Sequence, residues 1–273
     1  MADVFQATWV VAYRELLRFI QERSRMFSSI AMPLLFLVIF GAGFNRIIGA
    51  MTPGVDFIQF MYPGLIAMTV LMNSVMSGLS VVWDREFGFL KEILVAPLGR
   101  SGIVLGKAAG SATVAVVQGI VMLVLAPFLG VSLNLLMVIK LIPILIIISI
   151  SLSGLGVLVA SRMRSQQAFQ IIVQIIIMPL IFLSGVFFPV NNVPTWLEVI
   201  SKINPLTYGV DAIRQLFLGK EIAAMAGAIG QASNAIGVTV FGHTMTILED
   251  VLIVAIFGIV LLSIAAWSFS KQE

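Results

Sequence analysis

The chain has 273 residues, 60% of them hydrophobic and only 11% charged, with a mean hydropathy of +1.09. Ordinary soluble domains carry about 25% charged residues, so this composition excludes them and points to one membrane-embedded domain. The net charge of +3 comes from basic residues scattered between apolar segments, which excludes a nucleic-acid-binding stripe, and the lack of cysteine excludes disulfides and thiolate metal sites.

The opening MADVFQATWVVAYREL lacks the basic head, short apolar core and small-residue cleavage site of a removable signal, so the first spanning helix is expected to direct insertion. From Val4 to Arg25 the apolar residues recur at helical spacing. Phe5, Trp9, Ala12, Leu16, Leu17 and Ile20 share one side, and Arg14, Glu15, Arg18, Gln21, Glu22 and Arg25 the other. Residues 1–26 therefore read as an amphipathic helix lying in the membrane interface or, alternatively, as a cytoplasmic helix packed on another domain.

Residues 27–269 read as a six-span domain. A bilayer core takes about 20 residues of helix. The stretches that approach this are Phe27 to Phe44, Phe57 to Val82, Ile103 to Leu129, Leu135 to Ala160, Ala168 to Phe188 and Val251 to Phe269, with Pro33 expected to kink the first or mark a broken entry turn, Pro143 in the first turns of the fourth and Pro179 inside the fifth. On this map eleven of the sixteen basic residues fall on the side that carries both termini, which predicts that side to be cytoplasmic. The expectation is an all-α, multi-pass protein of the plasma or inner membrane.

Between the second and third spans, Asp84 to Lys107 concentrates seven charges. Glu86, Leu90 and Leu94 are spaced by four, as are Phe89 and Ile93, and Lys91 and Val95, so residues 84–98 read as a short amphipathic helix that Pro97 limits. Such a helix can rest its apolar side on the spans while presenting Arg85, Glu86 and Lys91 to a soluble partner, and its stiffness would pass a push to the attached spans. Gly102, Gly106 and Gly110 follow at intervals of four and suit close helix approach, within the chain or between subunits. Lys107 is expected to snorkel towards lipid phosphates.

The least regular region is Gly185 to Asp250. Residues 185–220 hold turn signals and two short apolar helices, one over Pro194 to Ile200 and one starting at Pro205, with Asn204 as its cap. These are candidates for hydrophobic helices dipping into the outer face. The Gly, Ala and Ser content between Glu221 and Met245 suggests a loosely packed outer segment. For Asp211 and Arg214, three apart, local helix stabilisation and a gating role both stand open.

Several chemistries find no support. The chain has no phosphate loop of the form GxxxxGK[ST], and the GLG at 154–156 lies inside an apolar span. His243 is the sole histidine, so no metal set is read, and no Ser-His-acid triad can be assembled. No acidic residue falls within the six spans as drawn, which argues against an autonomous ion-coupled carrier. No catalytic residue, cofactor or nucleic-acid partner is assigned to this chain.

Three pieces carry a resemblance: FMYPGLIAM at 60–68, REFGFLKEILVAPLGR at 85–100 with Gly106 and Lys107 after it, and LSGVFFPVNNVPTWLEVISKINPLTYGVDAIR at 183–214. Together, in this order, they resemble the ABC-2 type transporter permeases, in particular those of the daunorubicin-resistance exporter type, over nearly the whole chain. The resemblance implies a membrane half-transporter paired with a separate ABC ATPase, which holds the ATP and Mg2+, and with a second copy or homologous permease. It implies that Arg85, Glu86, Leu90, Lys91, Glu92 and Leu94 belong to a coupling helix, with Glu86 and Glu92 docking the ATPase and Leu90 and Leu94 anchoring the helix on its own spans. It also implies that the region of Asn204, Pro205, Asp211 and Arg214 is an outer re-entrant helical hairpin. Phe60, Tyr62, Met68, Met72, Met76, Phe182, Phe187 and Phe188 could line a path for an amphiphilic compound, drug or lipid, or simply pack the core. A polysaccharide or glycolipid exporter is the nearest alternative, and an ion-coupled carrier a more distant one.

Overall fold

A computed structural model describes residues 2–51, 57–86, 100–131, 133–229, 237–240 and 243–270. The architecture is all-α apart from one two-stranded hairpin. In chain order it comprises α1 (Ala2–Gln21), α2 (Arg23–Met51), α3 (Phe57–Met76), α4 (Leu79–Glu86), α5 (Arg100–Leu125), α6 (Leu135–Arg162), α7 (Gln166–Phe182), α8 (Thr195–Ile203), α9 (Pro205–Ile229), β1 (Thr239–Val240), β2 (His243–Thr244) and α10 (Ile247–Ser270). Among the described residues, four stretches are long and apolar enough to cross a membrane: Phe57–Trp83, Leu105–Leu129, Leu135–Arg162 and Ile247–Ser268. The first and fifth expected spans correspond to shorter apolar stretches, Phe27–Gly41 and Gln166–Phe182.

Helix ends follow local chemistry. The Asn134 side chain accepts from Leu136 N at the start of α6, and Ser165 does the same for Ala168 N at the start of α7. α10 begins four residues earlier than expected because Thr246 and Glu249 form a reciprocal cap. Glu249 Oε2 accepts from Thr246 N at 2.8 Å while Thr246 Oγ1 accepts from Glu249 N at 3.4 Å. The last span therefore includes Glu249 and Asp250, correcting the expectation that the spans hold no acid.

α6 is the central helix, packed on α3, α5 and α10. Its tightest crossing meets the break between α3 and α4. A Cβ at Gly78 would fall on the Gly156 carbonyl, and one at Gly156 on the Val75 carbonyl, so the two backbones touch with no side chain between them. Apolar residues such as Val124, Ile139, Ile175, Ile256 and Ile259 remain exposed on the outer faces, as a lipid solvent requires.

α1 packs along α5. Its Ala12 and Glu15 lie against Gly110, where a Cβ would approach Glu15 Cβ at 2.9 Å. Gly110, the last glycine of the stripe, thus admits α1. Glu15, expected on the solvated side, is buried at 9% exposure, whereas Trp9, Tyr13, Leu17 and Ile20 are exposed. The helix is turned by its partner, because Lys107 on α5 supplies the counter-charge that lets Glu15 face inward. α9 also departs from expectation. It runs for 25 residues, well beyond a short helix, and takes the Ala-rich stretch up to Ile229 into its backbone.

Candidate functional site

At one end of the bundle α4 is clamped to two other helices. Arg85 Nη1 donates to the carbonyls of Ser161 at 3.2 Å and Met163 at 2.7 Å, the last turn and C-cap of α6. Glu86 Oε2 accepts from Gln166 N at 3.1 Å, the first residue of α7. A cation at a helix C-terminus and an anion at a helix N-terminus both oppose the helix dipole, so both contacts are favourable. Burial, with the nearby Arg164 adding to it, lowers Arg85 below the usual guanidinium value. These two side chains, read as facing a soluble partner, also tie α4 into the turn between α6 and α7. The remaining expected coupling residues, Leu90, Lys91, Glu92 and Leu94, lie outside the described residues.

Lys107 does not snorkel. It is 1% exposed and donates to Glu15 Oε1 at 3.2 Å and to Ser80 Oγ. Above it a polar seam climbs the interior. Ser80, Ser77, Asn73 and Thr69 recur along α3, α4 and the turn between them, and they meet Gln118 on α5 through Asn73. Ser149 on α6 joins Ser74 at 2.8 Å and Ser111 at 3.1 Å. Each hydroxyl that also donates to the turn beneath it, as Ser77 does to Ser74 O, needs no other partner, which makes so polar a seam tolerable in an apolar bundle. Sequence reasoning missed this seam, although the 4-4-3 spacing of Thr69, Asn73, Ser77 and Ser80 could have shown it.

Beside the seam, α2 and α3 enclose a groove of about 180 Å³. Met68, Met72 and Met76 line it together with Met32 and Pro33, and its polar wall is Ser28, Ser29, Thr69 and Asn73. Other expected path residues go elsewhere. Phe60 (5% exposed) lies under Arg214, and Tyr62 (0%) is inside the packing, with its hydroxyl on the Met122 carbonyl and its ring edge-on to Phe217. Phe182 and Phe187 join Phe36 and Phe40 of α2 in one aromatic cluster with centroids 5.3 to 5.8 Å apart. Phe188 is half-buried.

At the opposite end Asn204 and Pro205 start α9, with Asn204 Oδ1 accepting from Leu206 N at 3.0 Å and Asn204 Nδ2 donating to Leu180 O at 2.7 Å. Arg214 is 3% exposed, donates to Gly185 O at 2.7 Å and Phe60 O at 3.4 Å, and lies 4.0 Å over the Phe60 ring. Burial pulls its pKa down to about 10. Asp211 makes no hydrogen bond or ion pair with Arg214. It accepts instead from Val238 N at 3.0 Å and Gln215 Nε2 at 2.9 Å, and Gln215 Nε2 also reaches Asp250 Oδ2 at 3.0 Å. The two residues thus hold separate neighbours, Arg214 the turn at Gly185 and Asp211 the strand hairpin.

The sequence matches those of known proteins. The family model described as ABC-2 type transporter covers residues 6–218. Over 205 residues the chain is 32% identical to transport permease ycf38 of Cyanophora paradoxa, which is 73% of this chain and 71% of that one. Over 173 residues it is 36% identical to the multidrug ABC transporter permease YbhR of Escherichia coli, 61% of this chain and 45% of YbhR, so the match spans less than half of that relative. Nodulation protein J of Rhizobium leguminosarum bv. viciae is 28% identical over 204 residues, 74% of this chain and 78% of that one. The chain belongs to the ABC-2 type transporter family. It is a multi-pass, all-α transport permease, and its family implies partnership with an ABC ATPase.

Proposed function

We propose that the chain is the six-span permease half of an ATP-driven exporter for hydrophobic or amphiphilic compounds, working with a separate ABC ATPase and a second permease copy. The observation that carries this reading is the groove between α2 and α3, with a methionine wall facing a neutral polar wall. Methionine side chains re-pack around apolar bodies of varied shape, and a space of about 180 Å³ suits one small amphiphile better than a long polar chain.

Coupling follows from how α4 is held. Residues 84–98 would enter the ATPase as a coupling helix, and ATP binding and hydrolysis with Mg2+ take place in that partner. Because Arg85 and Glu86 join α4 to α6 and α7, displacement of the coupling helix moves three helices together. The bare contact of Gly78 with Gly156 then acts as the fulcrum, one turn from Asn73 and Met76 on the groove. At the other end α8 and the start of α9 form the outer re-entrant hairpin. Arg214 and Asn204 pin it to α3 and α7. The distribution of basic residues over the six expected spans supports a cytoplasmic location for both termini.

The test is transport of a fluorescent amphiphile in proteoliposomes that contain the permease with its ATPase. Transport is expected to need both proteins and ATP. Transport by the permease alone overturns the reading.

A further inference from the structure

Among the described residues the groove's polar wall offers hydrogen-bond acceptors and no charge: no Asp, Glu, Lys, Arg or His of theirs lines it. Asn73 Nδ2 donates to the main-chain oxygen of Thr69 at 2.9 Å, and because a carbonyl can only accept, that contact fixes which way the Asn73 amide points. The same Nδ2 donates to Gln118 Oε1, and Gln118 Nε2 donates to Ser29 Oγ at 2.6 Å. Gln118 is 2% exposed, so α5 and α2 hold the relay from behind.

Both hydrogens of the Asn73 amide are thereby used. Its oxygen accepts nothing from the described residues, and it is not among their sealed orphan oxygens, which belong to Ser201, Asp211 and Asp250. It is therefore open to the cavities that Asn73 lines, the methionine groove and a smaller one beside Glu15 and Gly110. Thr69, which also lines the groove, gives its hydroxyl proton to Ile66 O at 2.7 Å and keeps only lone pairs. Ser28 and Ser29 both have partners within the protein. A ligand that brings only acceptors leaves these oxygens unmatched in an apolar setting, and a ligand that brings a formal charge loses its hydration without a counter-charge.

We propose that the groove selects amphiphiles whose polar end is an uncharged hydrogen-bond donor, a hydroxyl or amide N–H, received by Asn73 and Thr69 while Met68, Met72 and Met76 hold the apolar body. This rests on the reading of the groove as part of the transport path.

The experiment uses the full transporter, permease with ATPase, in proteoliposomes. Three matched photoreactive probes are compared: a diazirine-bearing long-chain alcohol, its methyl ether and its quaternary ammonium analogue. Labelling of the peptide spanning Met68 to Met76 is normalised to labelling of lipid. The alcohol is expected to exceed the ether by about tenfold, the worth of one net hydrogen bond of about 1.4 kcal/mol, and to exceed the ammonium probe by at least as much. Asn73→Asp should shift the preference to the ammonium probe. The comparison in the unaltered protein stands even if that variant does not fold. Equal labelling of the groove by all three probes, or preference for the ammonium probe, overturns the donor rule and leaves the groove as a path. ATP-dependent transport of the alcohol with no labelling of the groove overturns both.

Discussion

Glu15 of α1 and Lys107 of α5, ninety-two positions apart in the chain, form an ion pair at 3.2 Å, with the lysine almost fully buried. Removing one member of such a pair leaves the other charge unpaired in low dielectric. Glu15→Ala should therefore destabilise the protein by about 3 kcal/mol, and replacing both residues with Met should recover most of that loss. Thermal unfolding in detergent checks both.

The same pair gives a pH dependence. Burial alone would raise the Glu15 value, but Lys107, through charge and hydrogen bond and with help from Arg14 and Ser80, outweighs it and holds the carboxyl below the ordinary range. A depressed folded value means that the stabilisation is complete above the ordinary glutamate pKa and is lost as pH falls through the folded one. The stability advantage of the unaltered protein over Glu15→Gln should shrink on acidification below about pH 4.5, as read from unfolding midpoints.

Glu86→Lys puts a cation at the start of α7, where Glu86 now accepts from Gln166 N. A helix-end charge is worth about 0.3–1 kcal/mol, so folding should change little. Movement of α4 would no longer pass to α7. ATP hydrolysis by the assembled complex should persist while most transport is lost, measured on one preparation.

Gly156→Ala sets a methyl group on the Val75 carbonyl, a backbone atom that no rotamer change can clear. Overpacking of this type costs about 1–3 kcal/mol. Gly43→Ala, where nothing lies within 4 Å of the added atom, is the control and should be neutral. Unfolding temperature and the yield of monodisperse protein distinguish the two.

Asp211 and Asp250 share the Gln215 amide, and each keeps a buried oxygen without a partner. Burial raises the pKa of Asp211 despite its hydrogen bonds to Val238 and Gln215 and the nearby Arg214. A raised folded value for an acid means that stability falls as pH rises from the ordinary aspartate range through the folded value. Asp211→Asn should flatten that decline, measured by unfolding midpoints across pH.

The features legible in the sequence are local ones. Phe57 as a span start, Asn204 and Pro205 as a helix start, and the apolar runs of α5 and α6 depend on neighbours in the chain, and the helices lie where those residues call for them. The capping residues Thr246 and Glu249 were equally readable, and overlooking their spacing left Asp250 outside the last span. The site was legible only in part, because its defining contacts join distant segments. Glu15 reads as solvated until Lys107 faces it, Asn73 gives no sign of Gln118, and Gly78 and Gly156 look like ordinary small residues until two backbones meet there.

Motion supplied by an ABC ATPase is predicted to pass through the Arg85 and Glu86 clamp to the groove. That transmission is tested most directly by cross-linking Met72→Cys to Ser29→Cys across the groove in the otherwise cysteine-free permease, reconstituted with its ATPase. The rate of cross-linking should change on adding ATP, and that change should vanish in the Arg85→Ala, Glu86→Ala double variant while hydrolysis continues. A rate that ignores ATP, or that responds equally well in the double variant, contradicts the account.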